Sequence, residues 1–355
     1  MFSMYKITIP ACPDRSSMWI KLWYSIEKTI EETSMMLRKA VFLAVTGILY
    51  CAGGAYAHHP SGGVGLGQSG PVRTTAATTL PAGTFTATVQ AEFIDMDTFS
   101  NSQLRGFSGE GKDAHTTDST FHAILGLGYG ITNNLTLSIT VPYAQVNNIR
   151  EVHGDEPDEI HQHGDSKGIG DMTVIAQYRF LKTDDALDAA VFGGLRIPTG
   201  KTNEKDIHGE TFEAEFLPGS GAWSPLFGIA ATKRFGRVSL DANVQYMIRN
   251  VGTQETNLGD VFTYNAAVSY RAVSGDLAWD LILEANGEWK EKQKVRGTWD
   301  GNSGGNMLFI SPGTRLIIGR KVSAFFSFGI PVLQDLNGIQ DDVDYKTLFG
   351  FSFSL

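Results

Sequence analysis

Residues 83–93 read GTFTATVQAEF. Phe85, Ala87, Val89, Ala91 and Phe93 alternate with Thr84, Thr86, Thr88, Gln90 and Glu92, so a period of two sets an apolar face against a polar one. The same pattern recurs to the end of the chain. Met172, Val174, Ala176, Tyr178 and Phe180 oppose Asp171, Thr173, Gln177 and Arg179, and Val238, Leu240, Ala242, Val244, Tyr246 and Ile248 oppose Ser239, Asp241, Asn243 and Gln245. With the first, the candidate strands are 120–131, 135–146, 169–181, 187–198, 223–235, 237–249, 261–272, 277–290, 308–319, 321–332 and 343–355, which makes 12.

The connections between these segments decide between architectures. Thr132-Asn133-Asn134, the KTDDA stretch 182–186, Phe235-Gly236-Arg237, Val273 to Asp276 and Gly319-Arg320 are short. They alternate strictly with long connections at 97–119, 147–168, 199–222, 250–260, 291–307 and 333–342. A soluble sandwich shares the alternation of faces but has no reason to share this asymmetry of loops. Short turns on one side, long loops on the other and an even strand number describe an outer-membrane barrel with both termini on the short-turn, periplasmic side. Tyr129, Tyr143, Tyr178, Phe180, Phe235, Tyr270 and Trp289 fall where interfacial aromatic girdles belong, and Tyr345, Thr347, Phe349, Phe351, Phe353 and Leu355 line one face of the last strand. The fold class read from the sequence is therefore all-β: a transmembrane antiparallel up-and-down β-barrel of about 12 strands, preceded by a signal peptide.

The leader is read from a basic Leu37-Arg38-Lys39, an uncharged apolar run AVFLAVTGILYC over 40–51, and an Ala55-Tyr56-Ala57 cleavage signal before His58. The run is too short for a spanning helix. Met35 and Met36 stand directly before the basic pair, so residues 1–34 are expected to be a mis-assigned upstream extension and 35–57 the signal peptide. Residues 58–82, rich in Gly, Ser, Thr and Pro, are expected to form a flexible tail or a lumen plug, and 83–355 the barrel. The whole chain has 355 residues and a net charge of −9, with 40 glycines. Its acidity argues against a nucleic-acid partner. The two cysteines, Cys12 and Cys51, lie upstream of the expected cleavage site, which leaves neither a disulfide framework nor a CxxC site.

Four segments carry a family resemblance: YGITNNLTLSITVPY (129–143), GIGDMTVIAQYRF (168–180), Ile197-Pro198-Thr199-Gly200, and PVLQDLNG (331–338) followed by the final strand. In this order they resemble the Gram-negative outer-membrane transporter-like family associated with the meta-pathway of phenol degradation. The resemblance implies an outer-membrane barrel that passes small molecules. The sequence departs from the simplest family pattern in its His-rich long loop and its HHPSGG tail, and a phenolic substrate is not carried over.

Selectivity in a barrel resides in its lumen. The polar strand faces place Arg179, Arg196, Arg271 and Arg315 inward, with Asp241, Asp280 and Glu284. A 12-stranded lumen is narrow enough for them to form a mixed-charge constriction; the competing reading is a set of ion pairs that braces the interior. All eight histidines lie beyond the cleavage signal, and the loop REVHGDEPDEIHQHGD (150–165) joins His153, His161 and His163 to Asp155, Glu156, Asp158, Glu159 and Asp165. Imidazole with carboxylate suits zinc, copper or nickel, and His58-His59 behind a free amine is a second candidate for copper. Against this stands the reading of an unpaired, solvated acidic loop. His122 points into the lumen with Ser119 near it in sequence but no third partner, so no enzyme is inferred. GVGLG (63–67) lacks the strand-loop-helix setting of a phosphate loop.

The function expected from the sequence is a passive outer-membrane channel for a small, aromatic or amphiphilic solute, without a resident cofactor. The alternatives are a barrel for divalent metal-ion uptake or sensing through the His-rich loop, and a structural barrel without transport. Expected partners are outer-membrane lipid and lipopolysaccharide, the barrel-assembly machinery and a small-molecule solute.

Overall fold

The computed structural model describes residues 70–156, 159–319 and 321–355. The expected upstream extension and signal peptide, the tail before Gly70 and His58-His59 lie outside the described residues. Twelve long strands carry the fold: β1 (Phe85–Asp97), β2 (Ser119–Thr132), β3 (Leu135–Val152), β4 (Met172–Lys182), β5 (Leu187–Ile197), β6 (Ser224–Phe235), β7 (Val238–Met247), β8 (Val261–Val273), β9 (Leu277–Lys290), β10 (Gly305–Ile318), β11 (Val322–Leu336) and β12 (Asp342–Ser354). Each pairs antiparallel with its sequence neighbours, and β1 pairs with both β2 and β12, so the sheet closes on itself. Closure leaves no strand edge, the condition for crossing lipid with strands. Among the described residues no helix is long and apolar enough to cross a membrane.

The two faces sort as the alternation requires. Along β9, Ala278, Asp280, Ile282, Glu284 and Asn286 are buried, whereas Leu277, Trp279, Leu281 and Leu283 lie outside. Around the girth the register sets Val89 against Phe351 on one side and Leu125 on the other, each 44–53% exposed. Such outward rows continue around the barrel, and a surface this apolar far exceeds the patches a protein in water exposes. It is a lipid-facing belt, and the chain is an outer-membrane β-barrel. Inside, Gly228 gives room to the Phe192 ring, since a Cβ there would stand 2.3 Å from the ring tip.

The strands agree with the sequence reading on the short-turn side; on the other, β4 opens at Met172 instead of 169 and β7 ends at Met247 instead of 249, whereas two strands run well past it. β3 continues to Val152 instead of 146, and β11 to Leu336 instead of 332. Eighteen residues rise roughly 60 Å along a strand, much more than a tilted crossing of a roughly 25 Å apolar band needs, so β3 projects beyond the membrane. The returning strand His161–Ile169 pairs with this projection, Glu151 opposite His161 and Tyr143 opposite Ile169. The His-rich segment is thus a strand-paired hairpin, which corrects the expectation of an unpaired loop: its polar composition hides the ladder that β3 offers it.

The other long connections also pack. A helix, α1 (Asn101–Gly109), is closed at its start by a capping box in which Ser100 and Gln103 satisfy each other's backbone N–H. Its Leu104 is buried with Ala114 and Val152. Phe212, Phe216 and Leu217 of the connection after β5 cluster with Val146 and Ile149 of the β3 projection. Together these segments build a cap over the long-loop end.

Replacing Leu283, outward near mid-strand, with Arg is expected to lower folding stability by about 2–4 kcal/mol in denaturant titrations of the barrel refolded into lipid vesicles. An unchanged midpoint would contradict the lipid-facing assignment.

Candidate functional site

The lumen is occupied by the chain's own residues 70–82, which enter from the short-turn end ahead of β1. This segment offers mainly backbone to the barrel's inward side chains. The amides of Arg73 (3.0 Å) and Thr74 (2.8 Å) donate to the Glu284 carboxylate. Thr75 N–H donates to Asn243 Oδ1 (2.9 Å), Ala77 N–H to Thr232 Oγ1 (2.9 Å) and Leu80 N–H to Thr136 Oγ1 (2.8 Å). In return Gln177 donates to the carbonyls of Ala76 and Thr78, and Arg315 to that of Pro71 (2.9 Å). The small residues of PVRTTAATT (71–79) permit this close approach. Val72 packs against Ile282, Phe325 and Leu348, and Ala77 joins Phe192, Leu226 and Met247, so apolar inward residues are covered as well.

The inward charges named from the sequence divide by depth. Near the short turns Arg271 pairs with Asp280, Nη2 to Oδ2 at 3.0 Å, and Arg179 reaches Asp188 (3.5 Å) and the Asn133 carbonyl (2.8 Å). Asp241 accepts from Thr232 (2.6 Å) and Ser239 (2.9 Å). Glu284 and Arg315 lie deeper and hold the segment. Arg196 is buried at the opposite, long-loop end, so the seven residues do not meet in one ring. The strongest charge contact of the segment uses residues outside that set: Arg73 forms an ion pair with Glu92, and Lys346 and His122 stand within electrostatic reach of the same carboxylate. Glu92 and Lys346 are visible in the sequence on the polar faces of their strands; Arg73 is not, because nothing local marks a tail residue as a lumen residue.

Below the segment a cavity of about 320 Å³ opens at the short-turn mouth. It is bounded by Ala76 and Thr78 of the segment and by Arg234, Arg237, Asp241 and Arg271 of the wall. Opposite charges in its wall suit polar solutes without committing to one sign.

In the cap, the three histidines named from the sequence separate into two groups. His153 and His161 face each other across the hairpin mouth with ring centroids 5.2 Å apart. His163 is held between carboxylates, Nδ1 at 2.9 Å from Asp206 and Nε2 at 3.4 Å from Glu151. The bond to Glu151, reinforced by Asp206, outweighs partial burial and raises the His163 pKa to about 9. It is therefore an imidazolium clamp tying the hairpin to the connection after β5. Nearby, burial pushes the Asp341 carboxyl up to about 6 although Thr116 and Thr117 donate to it. Among the described residues, Glu156, Glu159 and His161 form a group whose ligand atoms lie at a spacing suited to a metal ion.

No protein-family model matches the sequence, and no curated protein matches it. Among solved structures the chain is similar to the COG4313 outer membrane channel from Pseudomonas putida F1, at 15% identity over 79% of this chain and 98% of that one, with a TM-score of 0.59. The transport unit of the autotransporter AIDA-I from Escherichia coli (12% identity, 77% and 90% covered, TM-score 0.44) and the NanC porin (10%, 76% and 100%, 0.41) are more distant. The first likeness establishes the outer-membrane barrel fold for this chain.

Two outcomes are expected. Glu284→Ala leaves the Arg73 and Thr74 amides without their acceptor, at about 1–3 kcal/mol per orphaned buried group. Tryptic cleavage after Arg73 should accelerate while the strands stay resistant; an unchanged rate would show that Glu284 does not hold the segment. The His163 clamp has a folded pKa above the unfolded value, so its contribution is full below about pH 6.5 and lost as pH rises through about 9. Amide-exchange protection over 166–169, corrected for intrinsic rate, should fall across that window, and the fall should vanish in His163→Gln.

Proposed function

We propose that this barrel is a passive channel for small polar or amphiphilic solutes, with residues 70–82 acting as its own plug. The observation that carries the reading is the way the segment is held. Its backbone amides and carbonyls meet one wall side chain at a time, Glu284, Asn243, Thr232, Thr136, Gln177 and Arg315, and each such bond can be exchanged for one to water or to a solute. A neutral hydrogen bond of this kind contributes only about 0.5–1.5 kcal/mol, and one to the Glu284 carboxylate or from the Arg315 guanidinium about 1.5–3 kcal/mol, so the plug can yield bond by bond without unfolding the wall. The cavity beneath it gives a solute a place to wait. The mixed charges along the wall, Arg179, Arg271, Asp241 and Asp280 near the short turns and Arg196 near the cap, favour solutes that carry polar groups over bare hydrocarbon. The similarity to an outer-membrane channel supports the same reading.

The test is conductance in planar lipid bilayers of the chain 58–355 beside a form lacking 58–80. The truncated form is expected to give large, steady steps, and the full chain small or intermittent ones. Silence from both, in barrels whose folding is confirmed by heat-modifiable gel mobility, would overturn the channel reading. Equal steps from both would overturn the plug.

A further inference from the structure

We infer that the tip of the external hairpin is a binding site for a divalent first-row transition ion of the zinc class, built by Glu156, Glu159 and His161 with His153 as the fourth donor. This goes beyond the channel reading and does not depend on it. One ligand atom from each of the first three residues lies within 4.8 Å of the others, and His161 Nε2 and Glu156 Oε2 are already 2.8 Å apart. A four-coordinate ion with bonds of about 2.0–2.2 Å to N and O holds its donors roughly 3–4 Å apart, so a small inward movement of the exposed Glu156 and Glu159 side chains completes the shell. The His153 ring lies beside that of His161, tilted by 52°. Its Nδ1 stands 3.9 Å from Glu151, a contact loose enough to give up.

The donors sit on an ordered frame, which separates this site from a chance cluster of surface charges. His153 comes directly after the last residue of β3 and His161 opens the returning strand opposite Glu151, so His153 lies two residues beyond its pairing partner and the two rings adjoin with centroids 5.2 Å apart. At the tip, Gly154 donates to Asp113 at 2.8 Å and lies so close to the chain at 111–112 that a Cβ would come within 2.3 Å of the Gly111 carbonyl carbon. At the base, the His163 clamp ties the strand to Asp206. His163 is held by Asp206 through Nδ1 and lies beside Glu151, so the proposed donor set spans the tip without it. Two imidazoles among the donors favour zinc, cobalt or nickel over calcium or magnesium.

Cobalt chloride added to the full chain 58–355 in detergent reads the site through the visible absorption of four-coordinate Co²⁺. The expected result is a saturable band that zinc chloride bleaches and excess calcium chloride does not. His161→Ala and Glu156→Gln/Glu159→Gln should each weaken Co²⁺ binding by on the order of 10-fold or more, whereas His58→Ala/His59→Ala and His208→Ala should leave it unchanged. Glu156 and Glu159 are exposed, so their variant decides the question even where His161→Ala folds poorly on heat-modifiable gels. A band that survives the Glu156/Glu159 variant, disappears with His58 and His59, or is displaced by calcium overturns the assignment.

Discussion

An unpaired peptide group in hydrocarbon costs several kcal/mol, and this cost orders everything else in the molecule. It requires the twelve strands to close, which they do through the pairing of β1 with β12. Closure with a period of two then forces each strand to show Leu, Val and Phe to lipid and its remaining side chains to the interior. The Val89, Leu125 and Phe351 row and the Gln90 and Thr88 positions beside it result from one choice of register. A slip of one residue would exchange the two faces everywhere.

The interior inherits a problem from that solution. Glu92, Glu284 and Arg315 are deeply placed in a narrow lumen, and a charge left unpaired there is far costlier than the pairs themselves are favourable. Residues 70–82 answer this with main chain. Two amides on one Glu284 carboxylate are charge-assisted bonds, and Arg73 supplies the countercharge that Glu92 needs. A segment of Thr and Ala suits the task because its backbone can reach the wall without large side chains intervening, whereas a helix would have consumed the same amides internally.

The barrel is legible in the sequence because both of its signals are local: the alternation within a strand and the length of the connection after it. The inward set is legible for the same reason, since Arg271 and Asp280 face each other across a short turn. The contacts that close the lumen and the cap join residues far apart in sequence, such as Arg73 with Ser327 and His163 with Asp206, and no local pattern encodes them. Helix α1 escapes the sequence reading although its signal is present. Ser100 and Gln103 form the S-x-x-Q pair of a capping box, but in a Gly- and Ser-bearing stretch between strands the eye reads a loop. The His-rich hairpin escapes it for the opposite reason: nothing in HQHGDSKGI favours a strand except the free ladder that the overlong β3 presents.

The two ends of the lumen are closed by forces of different kinds. At the short-turn end the segment is held mostly by hydrogen bonds and by the Arg73–Glu92 ion pair, polar contacts that water or a polar solute can replace in kind. At the long-loop end the cap is held by buried Phe212, Phe216, Leu217, Val146 and Ile149, and by Leu104 against Val152. Separating apolar contacts costs about 25 cal/mol for each Å² returned to water, and no solute compensates for it by donating or accepting a proton. On the proposed channel reading, polar solutes therefore compete with the inner barrier and not with the outer one. The outer barrier also carries a charged tie, the His163 clamp. The two carboxylates of that clamp belong to β3 and to the connection after β5, the same two segments that the apolar cluster joins. Apolar packing and ion pairing thus act on one joint.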